Sequence, residues 1–317
     1  MIMENKFVSL IVYLHNDSDN IENFLDTVLP VVKENFTKYE LLCVNDDCMD
    51  DTMVKLRDYV EKNELLGMVS VVHMGYYQGI EASMNAGRDA SIGDFVYEFD
   101  NAYVDYESSL VFKLYEQMLT GFDIVSASPK GRMSITSKMF YKLFNSNRRT
   151  NSDLFSESFR IISRRAINRI KAMGAYIPYR KAAYTNCGLN TSSIVYDSLI
   201  SVKERQRIKK TKQKMFERSS LAIDSFIYFT NIMEKISAAI SICSLLFSLG
   251  TIIYAITDHL MHGDLAEGWA SIMCFVSLGF LGVFALLTIM LKYLSLMLDL
   301  IFRRQKYLVA SIEKIAD

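Results

Sequence analysis

FVSLIVYLHNDSDNIENFLDTVLPVVKENFTKYELLCVNDDCMDDT, residues 7–52, decides the fold. The run at 7–14 is short, apolar and rich in β-branched residues, and it stops at Asn16 and Asp17. Residues 20–36 carry a longer helical pattern, and YELLCVN at 39–45 is a second strand that stops at Asp46, Asp47 and Asp50. The alternation continues through helical 51–63, extended 68–74, helical 80–92 and extended 94–100. Strand and helix at this spacing imply right-handed βαβ units, hence an α/β domain with a mostly parallel sheet flanked by helices on both faces. Ligands of such sheets sit outside the carboxyl ends of the strands.

Three of those ends read LHNDSDN, VNDDCMDDT and FDNAYVD. Singly, each is ordinary turn and N-cap chemistry. Together they gather carboxylates that repel one another unless a cation or a sugar-and-base ligand fills the space. Neither a GxGxxG nor a GxxxxGK[ST] pattern occurs, so a dinucleotide fingerprint and a P-loop are not supported.

Lys and Arg total 35 against 36 Asp and Glu, so the chain offers a nucleic-acid partner no global attraction. Cys43, Cys48, Cys187, Cys243 and Cys274 are scattered and odd in number, which argues against a disulfide framework and is compatible with a reducing compartment. The N-terminus has no signal-peptide pattern.

The apolar residues concentrate near the end. Residues 236–256 carry no charge, and neither do 269–291; each run has about the 20 residues that cross a bilayer. The loop between them has Asp258, Asp264 and Glu267 but no Lys or Arg. Lys203, Arg205, Arg207, Lys209 and Lys210 precede the pair, and Lys292, Arg303, Arg304 and Lys306 follow it. The positive-inside rule then predicts a transmembrane hairpin with both termini cytoplasmic. Residues 214–234 alternate apolar and polar positions as an amphipathic helix in the headgroup region does. The expected organisation is a cytoplasmic domain at 1–200, a basic and amphipathic segment at 201–235, the hairpin at 236–291 and a cytoplasmic tail at 292–317. Ser248, Gly250 and Gly279 are small residues through which such helices associate, so a homo-oligomer is open.

FVSLIVYLHNDSDNIENFL, YELLCVNDDCMDDT, GIEASMNAGRDASIGDFVYEFD and SFRIISRRAI, in this order, resemble the successive motifs of family 2 glycosyltransferases of GT-A (Rossmann-like) fold. Within these the chain is most similar to polyprenyl-phosphate glycosyltransferases related to dolichol-phosphate mannose synthase, including the two-helix anchor. The resemblance implies that Asn16 and Asp17 lie beside the nucleotide, that Asp46 contacts the base, and that Asp47 and Asp50 flank it. It places Asp100 where the first aspartate of a D-x-D motif meets the nucleotide-sugar and its Mg2+ or Mn2+. Arg160 falls near the phosphates, and Arg207 is a second candidate phosphate ligand.

Such chemistry suits these residue types. A departing nucleoside diphosphate accumulates negative charge, which a carboxylate-held divalent cation or arginines must stabilise.

The pattern also departs from the family. The second aspartate of D-x-D is Ala102, which cannot ligate a metal; Tyr76 and Tyr77 replace an Arg-Asn pair; and Ser158 stands where relatives have an aspartate before Phe-Arg. Glu157 is the adjacent carboxylate, but in an extended segment it points away from the face of Ser158. The expected activity is inverting sugar transfer from a nucleotide-sugar to a polyprenyl phosphate at the inner membrane. The alternative is a weakened homologue serving as a binding or assembly subunit of a surface-polysaccharide complex. Restoring Ala102 to Asp is expected to raise metal-dependent turnover if the site is only weakened.

Overall fold

The alternation is realised as β1 (Glu4–Leu14), α1 (Ile21–Asn35), β2 (Phe36–Asn45), α2 (Thr52–Lys62), β3 (Val69–Met74), α3 (Ile80–Ala90) and β4 (Phe95–Phe99). The structure, a computed structural model, describes residues 3–130, 157–173, 179–199, 269–302 and 307–316, with isolated positions within 141–146 and 235–257. β1 pairs in parallel with β2 and β4, and β2 with β3. The sheet order therefore reverses direction at β1, the switch point outside which α/β sheets bind ligands.

Burial on both faces explains the continuous apolar run of β1 from Leu10 to Leu14. Leu10, Val12 and Leu14 join Phe24, Leu25 and Val28 in one core. On the opposite face α3 lies very close to the sheet. A Cβ on Gly87 would stand 2.6 Å from Ile11 Cγ2 and 2.7 Å from Val44 Cγ2, so only glycine permits this approach.

Beyond β4 come α4 (Ser109–Leu119), β5 (Ile124–Lys130), β6 (Phe159–Ser163), α5 (Arg164–Met173), α6 (Arg180–Asn186) and β7 (Thr191–Asp197). The eight strands run β7-β5-β6-β4-β1-β2-β3-β8, where β8 is Val309–Lys314. β6 is antiparallel to β4 and sets Arg160 opposite Glu98 and Phe159 opposite Phe99. The beginning of β6 thus lies beside the carboxyl end of β4.

The chain divides into two units, Met1–Ala222 with Arg304–Asp317, and Ile223–Arg303. The last strand lies in the first unit: residues within the expected tail form β8, antiparallel to β3. In the second unit α7 (Trp269–Phe302) contains the uncharged run 269–291. Taken over the described residues alone, no helix is long and apolar enough to cross a membrane, so the spans at 236–256 and 269–291 rest on the sequence. Arg207, the basic run and the expected amphipathic helix lie outside the described residues.

Candidate active site

At the carboxyl end of β1, Asn16 has φ +56°, and at the end of β2 Asp47 has φ +58°. This left-handed conformation is one that Asn and Asp tolerate better than most residues. The two loops are tied to each other. Met49 N–H donates to Asn16 Oδ1 (2.8 Å), Asp17 N–H to Thr52 Oγ1 (2.8 Å), and Ser18 N–H to Asp50 (3.1 Å). Asp17 also accepts the His15 N–H at 3.0 Å. Turn chemistry therefore uses several of these side chains, and it shapes one corner at which Asn16, Asp17, Asp46, Asp47 and Asp50 meet.

Asp46 is buried in that corner. Its carboxylate accepts the Tyr13 hydroxyl (2.9 Å) and the backbone N–H groups of Gln78 (2.8 Å) and Gly79 (2.9 Å). Gly79 has φ +83°, which lets the β3–α3 loop turn both N–H groups onto one carboxylate. His15 Nδ1 donates to the Asp46 carbonyl at 2.6 Å, and the His15 ring lies against Tyr77 with centroids 4.6 Å apart. Asn16 and Asp47 are exposed at the rim.

The second constellation surrounds Asp100, just past β4. Arg160 donates to Glu98 (2.9 Å), Asp100 (3.0 Å) and Glu157 (2.7 Å). Arg180, at the start of α6, donates to Glu98 (2.8 Å), Asp100 (3.0 Å) and Glu81 (3.0 Å). Lys181 Nζ stands 3.1 Å from Asp100, and the Tyr184 hydroxyl donates to Glu98 at 2.7 Å. Both arginines are fully buried, a state that guanidinium groups tolerate only when fully paired. Burial alone would raise the Asp100 pKa; Arg160, Lys181 and Arg180 outweigh it and hold the carboxyl well below the usual carboxylate range.

Asp100, Arg160 and Glu157 are thus brought together as one ionic cluster. Glu157 does not point away as an extended segment implies: β6 begins only at Phe159, so strand alternation does not reach residue 157, and the Arg160 guanidinium draws its carboxylate inward. Glu81, Glu98, Arg180 and Lys181 were not singled out from the sequence. Glu98 carried a readable signal, a charge inside the apolar run FVYEF that needs a buried partner.

The model of glycosyl transferase family 2 matches residues 9–184, more than half of the 317-residue chain. The chain is a family 2 glycosyltransferase. Its mostly parallel sheet is the GT-A-like arrangement. Among its relatives is an uncharacterized glycosyltransferase of Synechocystis, 25% identical over 96% of this chain and 95% of that one. A prophage bactoprenol glucosyl transferase homolog of Escherichia coli K12 is 24% identical over 97% and 99% of the two chains. The bactoprenol glucosyl transferase of Shigella phage SfX is 25% identical over 87% and 88%.

Residues of this glycosyltransferase do not fit a divalent cation at Asp100. One carboxylate oxygen accepts from Arg180, the other from Arg160 and Lys181. Ala102 is wholly buried within the hydrophobic core. Asp105 is buried too, and its carboxylate accepts the Tyr196 hydroxyl at 2.6 Å, which in turn bonds Ser158 Oγ at 2.7 Å. Among the described residues no group of three or more His, Cys, Asp or Glu side chains is placed to hold a metal ion.

The rescue expected of Ala102→Asp therefore meets a physical obstacle. The new carboxylate enters an apolar core, and the substitution is expected to destabilise the protein by about 3 kcal/mol or more. Thermal unfolding of the purified variant checks this; an unchanged midpoint together with acquired Mn2+ binding would show that position 102 faces the ligand instead.

Proposed function

We propose that this glycosyltransferase transfers a sugar from a nucleotide-sugar to polyprenyl (undecaprenyl-type) phosphate at the cytoplasmic leaflet of the inner membrane, with inversion at the anomeric carbon. The nucleotide lies in the corner formed by Asn16, Asp17, Asp46 and Asp47, and the sugar-diphosphate extends toward Asp100. The observation that carries this reading is the near full-length similarity to the bactoprenol glucosyl transferase homolog, which covers 97% of this chain and so includes its apolar C-terminal region. The helix α7 supports it. Phe280, Phe284, Leu287, Met290, Leu291 and Met297 are exposed along this helix, an arrangement unfavourable in water and favourable in lipid. The hairpin topology with both termini cytoplasmic follows from the charge distribution.

A phosphate acceptor also suits Ser158. With a second pKa of about 6, a phosphate monoester is largely a dianion at neutral pH and needs little help from a base. The paired state of Asp100 favours a second reading, the binding or assembly subunit of a surface-polysaccharide complex. One assay separates the two. Detergent-purified protein is given undecaprenyl phosphate and a panel of nucleotide-sugars, and release of nucleoside diphosphate is followed. Transfer predicts acceptor-dependent release that falls by at least about tenfold in Asp100→Asn. Silence across the panel while a nucleotide still binds supports the assembly subunit.

A further inference from the structure

Asp100 follows β4, which pairs with β1 and so ends beside the strand that leads to Asn16 and Asp17, yet its carboxylate is committed to three protein cations. Arg160 and Arg180 are wholly buried, and their donors are directed at Glu81, Glu98, Asp100 and Glu157. Lys181 differs from them. Its side chain keeps 13% exposure, beside Asp100 at 11%, whereas the two arginine side chains have none. An ammonium has three donors. Among the described residues, Asp100 at 3.1 Å and the Glu157 carbonyl at 3.3 Å account for two, which leaves one for an oxygen arriving from outside.

A diphosphate that approaches Asp100 brings negative charge toward a carboxylate, and a cation must stand between them. A divalent ion prefers about six oxygen ligands in near-octahedral order. Asp100 is already shared among three cations, Ala102 and Asp105 face other partners, and Glu157 is held by Arg160. Lys181 already sits against Asp100.

We propose, on the basis of the nucleotide-sugar reading above, that the Lys181 ammonium stands in for a divalent cation, holding the donor diphosphate beside Asp100, and that donor binding is metal-independent. Arg160 and Arg180 fix the Asp100 carboxylate from the buried side and thereby position Lys181. When the bond between the anomeric carbon and the diphosphate oxygen breaks, its electron pair stays on that oxygen, and an oxygen of the acceptor phosphate supplies the pair for the new bond. Lys181 meets the charge that builds on the departing diphosphate.

Full-length protein in detergent is titrated calorimetrically with UDP, GDP, CDP, dTDP and ADP, first in EDTA and then in Mn2+. The nucleotide that binds is expected to do so equally in both, within about twofold. Lys181→Met is expected to weaken it by about tenfold, while Lys181→Arg, which keeps the charge, stays within about threefold. A requirement for Mn2+ in the wild-type protein overturns the proposal and leaves the donor reading intact. Wild-type affinity in a Lys181→Met protein of unchanged melting temperature overturns it as well. Failure of every nucleotide in both buffers removes the donor reading and this proposal with it. The wild-type comparison needs no variant, so a poorly folding Lys181→Met leaves the test decisive.

Discussion

Glu98→Ala is expected to destabilise the protein by about 3–5 kcal/mol, the range found when one partner of a buried ionic pair is removed and the other is left behind. Glu98 has no exposure, and one of its oxygens receives both Arg160 and Arg180, while the Tyr184 hydroxyl donates to the same group. The substitution leaves two guanidinium groups facing a cavity, with Asp100, Glu157 and Glu81 alone to hold them. At roughly 2–4 °C per kcal/mol for a domain of this size, the thermal midpoint falls on the order of 10 °C. Glu98→Gln keeps the shape and loses the charge, and is expected to lie between. A midpoint for Glu98→Ala within about 2 °C of wild type would mean that water replaces the carboxylate and that the cluster is more open than its burial implies.

The same cluster marks where reading the sequence succeeds and where it stops. From β1 to β4 the apolar periods alternate cleanly, because each strand is buried on both faces and each helix on one, and the observed strand and helix positions follow that alternation closely. The second half of the sheet is a matter of long-range pairing. Nothing local tells that the Phe-Arg of β6 returns antiparallel to β4 and lays Arg160 across from Glu98, 62 residues away. Arg180 and Lys181 join from yet another segment. Asp46 was legible as a carboxylate at a strand end, but its three donors come from Tyr13 and from a loop more than 30 residues on. Side-chain roles at the corner were legible only as a choice between turn chemistry and ligand binding. The structure shows the turn chemistry at Asp17, Asp50 and Asn16, and this is what gives the corner its shape.

If the corner around Asp46 holds the nucleotide as proposed, deleting residues 307–316 is expected to weaken nucleotide binding by about tenfold and to lower the thermal midpoint, although none of them lies in that corner. β8 closes the sheet edge along β3, Ile315 is buried, and Glu313 bridges Arg57 and His73. Burial of the Ile315 side chain alone contributes about 1.5–3 kcal/mol. The link to the corner around Asp46 runs through Gln78. Its side-chain amide donates to the Leu308 carbonyl (2.7 Å) and accepts the Leu308 N–H (2.8 Å), while Gly75 N–H donates to the same carbonyl at 2.9 Å. Tyr307 adds a hydroxyl bond to Asp89 at 2.9 Å, at the end of α3. The β3–α3 loop is therefore gripped from outside by the tail, and from inside it turns the N–H groups of Gln78 and Gly79 onto Asp46. With the tail gone, the loop loses its outer hold and Asp46 loses the geometry of two of its three donors. Gln78→Ala cuts the side-chain grip and spares the strand, so it is expected to lower nucleotide affinity with a smaller change in melting. If calorimetry instead shows that the deleted protein melts earlier but binds nucleotide as tightly as wild type, β8 only covers a sheet edge, and the loop holds its shape through Asp46 and the φ +83° turn at Gly79.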